Sequence, residues 1–184
     1  MTWDLPLAVE INGMKHNIRN KCDYRIILDV ISALNDKTLS ENVRLISALI
    51  IFYEDFQKIT NIQAAVIEMM TVINIGEKND SSEPDEPRLM EWGHDFNFIA
   101  PPISRVLGYD VRVPDKYTHW YTFIGAYMEI GDCYFTQIIS MRSKLRKGRK
   151  LNDHDKEFYK AHKKDIDLEM DISDEELAWL ESDW

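Results

Sequence analysis

Two histidine patterns are the best candidates for metal chemistry in the sequence. The pair His94-Asp95 has the order of the dyad found in metal-dependent phosphohydrolases, but the further His and Asp ligands of such a site are not present in a matching order. An Asp that caps a helix is the simpler interpretation. His154 and His162 lie two helical turns apart, too far for the i, i+4 chelation of zinc sites, so surface histidines are expected. We predict no metal site.

Signatures of nucleotide, hydrolase and calcium chemistry are missing at the required spacing. The sequence contains no GxGxxG, GxxxxGKS/T, HExxH or GxSxG motif and no EF-hand loop. Cys22 and Cys133 stand in no CxxC or Cys/His ligand spacing, which predicts two free thiols in a reducing compartment. We therefore expect no cofactor and no enzymatic activity.

The densest group of cations lies between residues 142 and 150. Such a run can bind phosphates, form a solvated helix end, or contact an acidic segment of this chain or a neighbour. The formal net charge of −10 disfavours nucleic acid as a partner, because phosphates are repelled unless a basic patch is displayed separately. The candidate partner-binding cations are Arg142, Lys144, Arg146, Lys147, Arg149 and Lys150.

The C-terminal segment combines acidic and apolar side chains. Residues 165–184 carry nine Asp and Glu and no Lys or Arg. Trp179, Leu180 and Trp184 make the segment too apolar for an inert solubilising tail, so they join the candidate partner-binding residues. Ser173–Glu176 has a capping-box pattern that predicts a short helix.

The aromatic segment 119–123 has two interpretations. Trp120, Tyr121 and Phe123 could stack on nucleic-acid bases, but their helical spacing is typical of a buried helix face, and we favour core packing. Trp120 and Ile124, together with Leu49 and Phe52 earlier in the chain, are predicted to be largely buried.

The elements that carry these residues are mostly helices. Leu7, Val9 and Ile11 alternate with polar or small residues before Asn12-Gly13, which predicts a hairpin. Apolar residues at helical spacing then predict helices from Asp23, from Ser40 and over 61–75, and later over 118–130, from Cys133 and over 153–167. The helix after Ser40 has little polar circumference, so we expect it at the centre of the core. Pro101-Pro102 should start or kink a helix over 94–107, and Gly108 should close it.

The predicted fold is mainly α, a helical bundle-like domain with a small N-terminal β-hairpin and an acidic C-terminal tail. Residues 77–87 have the composition of a flexible linker. We divide the chain into a hairpin and helices (1–76), this linker, a second helical half that packs with the first (88–168), and the tail (169–184). The start of the sequence has no secretory pattern and no apolar run is long enough for a membrane span, so we expect a cytoplasmic protein without membrane contact.

The second half resembles the bacteriophage gene-product-fifteen family of Gram-positive siphophages. The order and spacing of several short motifs carry the resemblance, and Asn12-Gly13 with Asp23-Tyr24-Arg25 extends it more loosely over about residues 9–168. The paired tryptophans usual in the family are Trp120-Tyr121 here. The motifs are Asp95 with Ile99, Leu107-Gly-Tyr-Asp110-Val-Arg112, His119-Trp-Tyr-x-Phe123, Ile130-Gly-Asp-Cys133, Ile138-Ile-x-Met-Arg142, Lys147-Gly-x-Lys-Leu151 and Glu157-Phe-Tyr159.

The resemblance implies a product of the tail-morphogenesis genes that acts as a non-catalytic tail assembly chaperone in the cytoplasm of the infected bacterium. Its partners would be phage tail proteins, namely the tape-measure and tail tube proteins, and a homo-oligomer is possible. Two alternatives stay open: a structural tail-completion protein of the virion, and a phage regulator that binds a host protein or nucleic acid through 142–150.

Overall fold

The computed structural model of the chain describes residues 4–76 and 89–168. Within these ranges the fold is mainly α-helical with a small N-terminal antiparallel hairpin, as the sequence predicts. The predicted linker 77–87 and the tail 169–184 lie outside the described residues. In chain order the elements are β1 (Ala8–Ile11), β2 (Met14–Asn17), α1 (Tyr24–Asn35), α2 (Glu41–Phe52), α3 (Ile62–Ile73), α4 (Trp92–Leu107), α5 (Trp120–Met128), α6 (Tyr134–Arg146) and α7 (Asp153–Ile166), with single 3-10 turns at Arg19–Lys21 and Phe56–Lys58.

The described residues form two compact units that interleave along the sequence. The first unit consists of 4–76 and 100–130, and the second consists of 89–99 and 131–168. Residues 100–130 thus group with the N-terminal elements and not with the remainder of 88–168. Helix α4 contributes residues to both units, and the change from one to the other falls between Ile99 and Ala100, next to the two prolines.

The hairpin of β1 and β2 has the predicted turn. Ile11 pairs with Met14 at the end of an antiparallel ladder. Asn12 and Gly13 have φ of 52° and 78°, and a two-residue hairpin turn with positive φ at both positions is the type that Asn-Gly favours. Val9 and Ile11 are buried, so the alternating pattern places one side of β1 in the core.

The core of the first unit is built from one side of each helix. Leu49, Phe52, Trp120 and Ile124 are at most 8% exposed, which confirms the predicted core residues. Burial of each such side chain stabilises the fold by about 1.5–3 kcal/mol. The buried aliphatic and aromatic residues of these helices include Ile27, Val30, Ala48, Ala65, Met69, Val72, Ile103 and Phe123.

Helix α2 differs from its predicted place at the centre of the core. Its inner side, with Leu49, packs towards α1 and α3. Val43, Ile46 and Ile50 are 47%, 37% and 48% exposed. Their i, i+3, i+7 spacing puts them on one apolar stripe, which we call the α2 outer face. The expectation that α2 lies at the centre of the core is therefore wrong: one side of the helix is buried, and the α2 outer face is exposed.

Helix α4 runs through both of its prolines. Of the two expected outcomes, a start or a kink at Pro101-Pro102, the start is excluded, since the helix extends from Trp92 to Leu107. The prolines remove two helical N–H donors. Ile99 and Ile103, which flank them, are fully buried, and their packing offsets this loss. Gly108, at φ +76°, ends the helix as predicted.

A buried histidine, His119, is the N-cap residue of helix α5. Nδ1 of His119 accepts the N–H of Tyr121 at 3.0 Å, and Nε2 lies 3.1 Å from the carbonyl oxygen of Pro6. Nδ1 is therefore unprotonated, and Nε2 carries the proton that it donates. Burial lowers the pKa of His119 below its ordinary 6.5, which keeps the ring in this neutral form.

Helices α6 and α7 form an antiparallel pair in the second unit. Lys144 near the end of α6 contacts Asp155 near the start of α7, and Tyr134 at the start of α6 contacts Asp165 near the end of α7. The pair encloses a small apolar cluster. Its members are Ile138, Met141, Tyr159 and Ile166, with Phe98, Tyr134, Leu145, Leu151 and Phe158 packed around them.

Candidate protein-binding surface

Arg142, the first cation of the run 142–150, is a buried structural residue. Its side chain is 5% exposed and faces Asp95, which is fully buried. Two parallel hydrogen bonds of 2.7 and 2.9 Å join the guanidinium to the two carboxylate oxygens. The remaining N–H groups donate to the carbonyl oxygens of Leu89, Asp165 and Ile166. All five guanidinium N–H groups are thus used inside the unit, and Arg142 does not offer a charge to a partner.

Asp95 ties the start of α4 to this arginine. Its carboxylate also accepts the backbone N–H of Glu91 at 2.9 Å and lies 2.8 Å from Nδ1 of His94. Asp95 is the fourth residue of α4 and not its N-cap, so the expected capping position is wrong, although its carboxylate does bind the backbone of the residue that precedes the helix. Burial alone would raise the pKa of Asp95, but hydrogen bonds from Arg142, His94 and Glu91 outweigh it and hold the pKa below its ordinary 3.8.

Lys144 is also used within the unit. Its ammonium group donates to Asp155 at 2.6 Å, which joins α6 to α7. This hydrogen bond is the main reason why the pKa of Asp155 is below its ordinary value. The Lys144 side chain is about one-third exposed, so part of it contacts solvent.

The last four cations of the run are exposed at the end of α6 and in the turn that follows. Arg146 is the last residue of α6, and the turn reverses the chain at Gly148, where φ is +56°. Of the nine predicted binding residues, the structure therefore leaves this set on the surface: Arg146, Lys147, Arg149 and Lys150. Trp179, Leu180 and Trp184 lie outside the described residues.

Three more exposed cations lie on α7 and were not predicted. Lys160, Lys163 and Lys164 have the i, i+3, i+4 spacing of one helix side. They do not join the basic run in the sequence because residues 151–159, which include acidic, histidine and aromatic residues, lie between that run and Lys160. Their helical spacing was the one feature of the sequence that could have grouped them on one side of a helix. The structure shows that all three are exposed.

The described residues are electrically balanced, and the excess charge lies elsewhere. In the second unit ten Lys and Arg stand against eight Asp and Glu, and in the first unit ten stand against twelve. The formal net charge of −10 therefore comes from the residues outside the described ranges. Segment 169–184 contributes seven acidic residues and no cation, and segment 77–88 contributes five acidic residues and two cations.

A polar cluster joins the start of α6 to the end of α7. The Tyr134 hydroxyl donates to Asp165 at 2.5 Å and lies 2.8 Å from Nδ1 of His162. Burial, assisted by the Asp165 carboxylate, raises the pKa of Tyr134 to about 12. The phenol therefore stays protonated at neutral pH. Its hydrogen bonds hold the start of α6 against the end of α7, which is a structural role. His154, the other histidine of α7, is exposed as predicted.

In the first unit, Asp23-Tyr24-Arg25 fixes the loop between α4 and α5. The Arg25 guanidinium donates at 2.8 Å to the carbonyl oxygens of both Val111 and Val113. The Tyr24 hydroxyl donates to Val111 at 2.9 Å, while Asp23 accepts the Arg25 N–H and so caps α1. Two motifs that carry the family resemblance, 23–25 and 107–112, thus contact each other in the structure.

Metal and membrane sites are not found in the described part of the chain. Among residues 4–76 and 89–168 no group of three or more His, Cys, Asp or Glu could hold a metal ion. No helix in the same ranges has the length and apolar character needed to cross a bilayer. Cys22 and Cys133 are free thiols, and burial raises the pKa of Cys22 to about 12.

Comparison with known protein families identifies a match that covers most of the chain. The sequence model of the family described as Bacteriophage Gp15 protein matches residues 1–168. No curated protein and no solved structure shows a significant match.

Proposed function

The chain belongs to the Bacteriophage Gp15 protein family, and from this membership we propose that it is a non-catalytic tail assembly factor. It binds the tape-measure protein, the tail tube protein or both during tail morphogenesis in the cytoplasm of the infected bacterium. The observation that carries the proposal is the family match over residues 1–168, which covers all of the described structure.

The α2 outer face supports a role in protein binding. Val43, Ile46 and Ile50 are apolar side chains that the fold of the first unit leaves uncovered. An exposed apolar stripe on a folded protein is typical of an interaction surface. β-Branched side chains have few rotamers, so they lose little conformational entropy when a partner covers them. Asn42, next to Val43, and Ser47, next to Ile46, are uncharged. An apolar partner that covers the α2 outer face therefore buries no charged side chain at these two positions.

The partner that fits this stripe is an apolar α-helix. Side chains at i, i+3 and i+7 provide ridges that the grooves of a second helix can receive. Covering three half-exposed aliphatic side chains yields about 1 kcal/mol each, which is enough for weak and reversible binding. Weak binding at many places along a long tape-measure chain keeps its apolar helices from aggregating and still allows tube subunits to displace the factor.

Co-expression of the chain with the tape-measure protein of the same phage tests the proposal. We expect the wild-type chain to keep the tape-measure protein in the soluble fraction and to copurify with it. The test variant Val43→Gln/Ile46→Gln/Ile50→Gln should lose most of this effect. The matched control Val106→Gln/Val113→Gln/Met128→Gln, which also replaces exposed apolar residues, should retain it.

The possible outcomes test the chaperone role and the assignment of the α2 outer face separately. A tape-measure protein that stays insoluble and unbound with the wild-type chain contradicts the chaperone role. Retained binding by the α2 variant together with an unchanged thermal midpoint contradicts only the assignment of the α2 outer face.

A further inference from the structure

The α2 outer face has the composition that a symmetric contact between two copies of one chain requires. In such a contact each residue lies near its own counterpart, so a charged side chain at the centre would meet a like charge. Val43, Ile46 and Ile50 are uncharged and exposed. Asn42 and Ser47, which flank them, are also uncharged. Two copies of this stripe can therefore approach each other without electrostatic repulsion along it.

The two charged residues of α2 do not belong to this stripe. Glu41 lies two residues before Val43 and five before Ile46, which places it on the opposite side of the helix at about 100° per residue. Arg44 follows Val43 in the sequence, but its guanidinium donates to the carbonyl oxygen of Leu34 at 3.4 Å, near the end of α1. The charge of Arg44 is thus directed towards α1 of its own copy.

The spacing of the stripe suits the antiparallel packing of two such helices. Steps of three and four residues, as between Val43, Ile46 and Ile50, are the steps of a seam between two helices. When the second helix runs in the opposite direction, Ile46 lies near its own counterpart. Val43 of each copy then lies opposite Ile50 of the other, so a smaller side chain packs against a larger one at both ends. Antiparallel helices also bring opposite ends of their dipoles together, which is favourable.

The contact between two such helices is small, so the pair dissociates readily. Helix α2 has 12 residues and a length of about 18 Å. Three partly exposed side chains on this length provide only part of the roughly 800 Å² per partner that a stable interface buries. Self-association through this stripe therefore depends on protein concentration, and another apolar helix is able to displace the second copy.

We infer that the α2 outer face binds the α2 outer face of a second copy in an antiparallel pair when no other helix occupies it. The pair covers apolar side chains that otherwise contact water. This pairing regulates the proposed function, because a tape-measure helix has to displace the second copy from the same stripe. The inference rests on the proposed role of this face in protein binding, but the pairing itself needs no tail protein.

Disulfide coupling between single-cysteine variants of the full-length chain tests the pairing and its direction. All variants carry Cys133→Ser, and Cys22 stays in place because it is buried. A new cysteine replaces one residue of the α2 outer face at a time. The matched control is Ile67→Cys, at a position of α3 that is 52% exposed. Mild oxidation followed by intact-mass measurement gives the yield of each covalent dimer.

Antiparallel pairing predicts which cysteines couple. Ile46→Cys should form covalent dimers at least about fivefold faster than the control, because its two thiols come within disulfide distance in the pair. A mixture of Val43→Cys and isotope-labelled Ile50→Cys should give mainly the mixed dimer. In sedimentation equilibrium up to about 1 mM, where weak pairs form, the mass of the wild-type chain should rise with concentration, and Val43→Gln/Ile46→Gln/Ile50→Gln should remain monomeric. Raising the salt from about 0.02 to about 0.5 M should not weaken the pair, since it buries no charge.

Four results would overturn the inference. They are equal rates for Ile46→Cys and the control, a monomeric wild-type chain at every concentration, self-association that disappears at high salt, and Val43→Cys and Ile50→Cys that each couple mainly to themselves. The last result would show a parallel pair. A monomeric chain that still keeps the tape-measure protein soluble contradicts the pairing alone, and a paired chain with an insoluble tape-measure protein contradicts only the proposed function. An unchanged thermal midpoint in each variant verifies that the fold is retained.

Discussion

Replacement of Arg142 by Met should destabilise the second unit severely. The substitution keeps a long apolar stem but removes the guanidinium that pairs with Asp95 and binds three carbonyl oxygens. The carboxylate of Asp95 has no solvent exposure, so its charge would be left buried without its main partner. Breaking a buried ion pair by removing one member costs about 3–5 kcal/mol.

The three carbonyl oxygens add to this cost only where water cannot reach them. Each buried acceptor left without a donor costs about 1–3 kcal/mol, but Leu89 and Asp165 lie in partly exposed surroundings. We therefore expect about 3–5 kcal/mol for Arg142→Met as a whole. The control Arg149→Met, at an exposed position of the same run, should change the stability by less than about 0.5 kcal/mol.

Urea denaturation followed by circular dichroism measures this difference, and pH gives a second readout. The pKa of Asp95 is lowered in the folded wild-type protein, so its contribution is present above the ordinary 3.8 and is lost as the pH falls through the folded value. In Arg142→Met burial dominates and raises the pKa of Asp95, so protonation relieves the unpaired charge. The gap between wild type and variant should therefore narrow as the pH falls towards 4.

A variant within 1 kcal/mol of the wild-type protein at neutral pH would refute this reasoning. A gap that stays constant down to about pH 4 would show that the buried charge of Asp95 is not the source of the loss.

Three further predictions concern the first unit and the thiols. Phe52→Ala should cost about 3–5 kcal/mol in urea denaturation, whereas Ile50→Ala at the outer face of the same helix should cost less than about 1 kcal/mol. Burial lowers the pKa of His119, so the contribution of its neutral ring to stability is full above pH 6.5 and is lost as the pH falls through the lower pKa of the folded protein. The stability should therefore decrease as the pH is lowered below 6.5, and His119→Asn, which keeps a cap, should remove that part of the pH dependence. In the native protein a thiol reagent at about pH 8 should label Cys133 and not Cys22, whose pKa is raised to about 12, and denaturant should expose both.

Helices and the hairpin were predictable because their signals are local. Asn12-Gly13 specifies its own turn, and apolar residues at helical spacing identify α1, α3 and α5 together with their buried sides. The predicted burial of Phe52 and Trp120 is confirmed for the same reason.

The role of each cation in the run 142–150 was not predictable from local pattern. Arg142 looks like its neighbours in the sequence, and its burial depends on Asp95, which lies 47 positions earlier. Tertiary contact therefore divides one basic run into two internal ion-pairing residues and an exposed remainder. The exposed lysines of α7 share one side of that helix because of their i, i+3, i+4 spacing.

In helices α2 and α4, too, tertiary contacts decide features that a local sequence pattern does not predict. The apolar pattern of α2 indicates which residues are able to be buried, but it does not say which side another helix covers. The rule that proline interrupts a helix is also local, and in α4 the burial of Ile99 and Ile103 overrides it.

Quantitative mass spectrometry of phage-infected cells tests the tail-assembly role most directly. An affinity tag on this chain allows recovery from the lysate before tails are complete, and purified virions are measured in parallel. The account predicts that the tape-measure or tail tube protein is enriched with the tagged chain in the lysate and that the chain is nearly absent from virions. Recovery of the chain in virions at a fixed copy number, or of neither tail protein from the lysate, would contradict it.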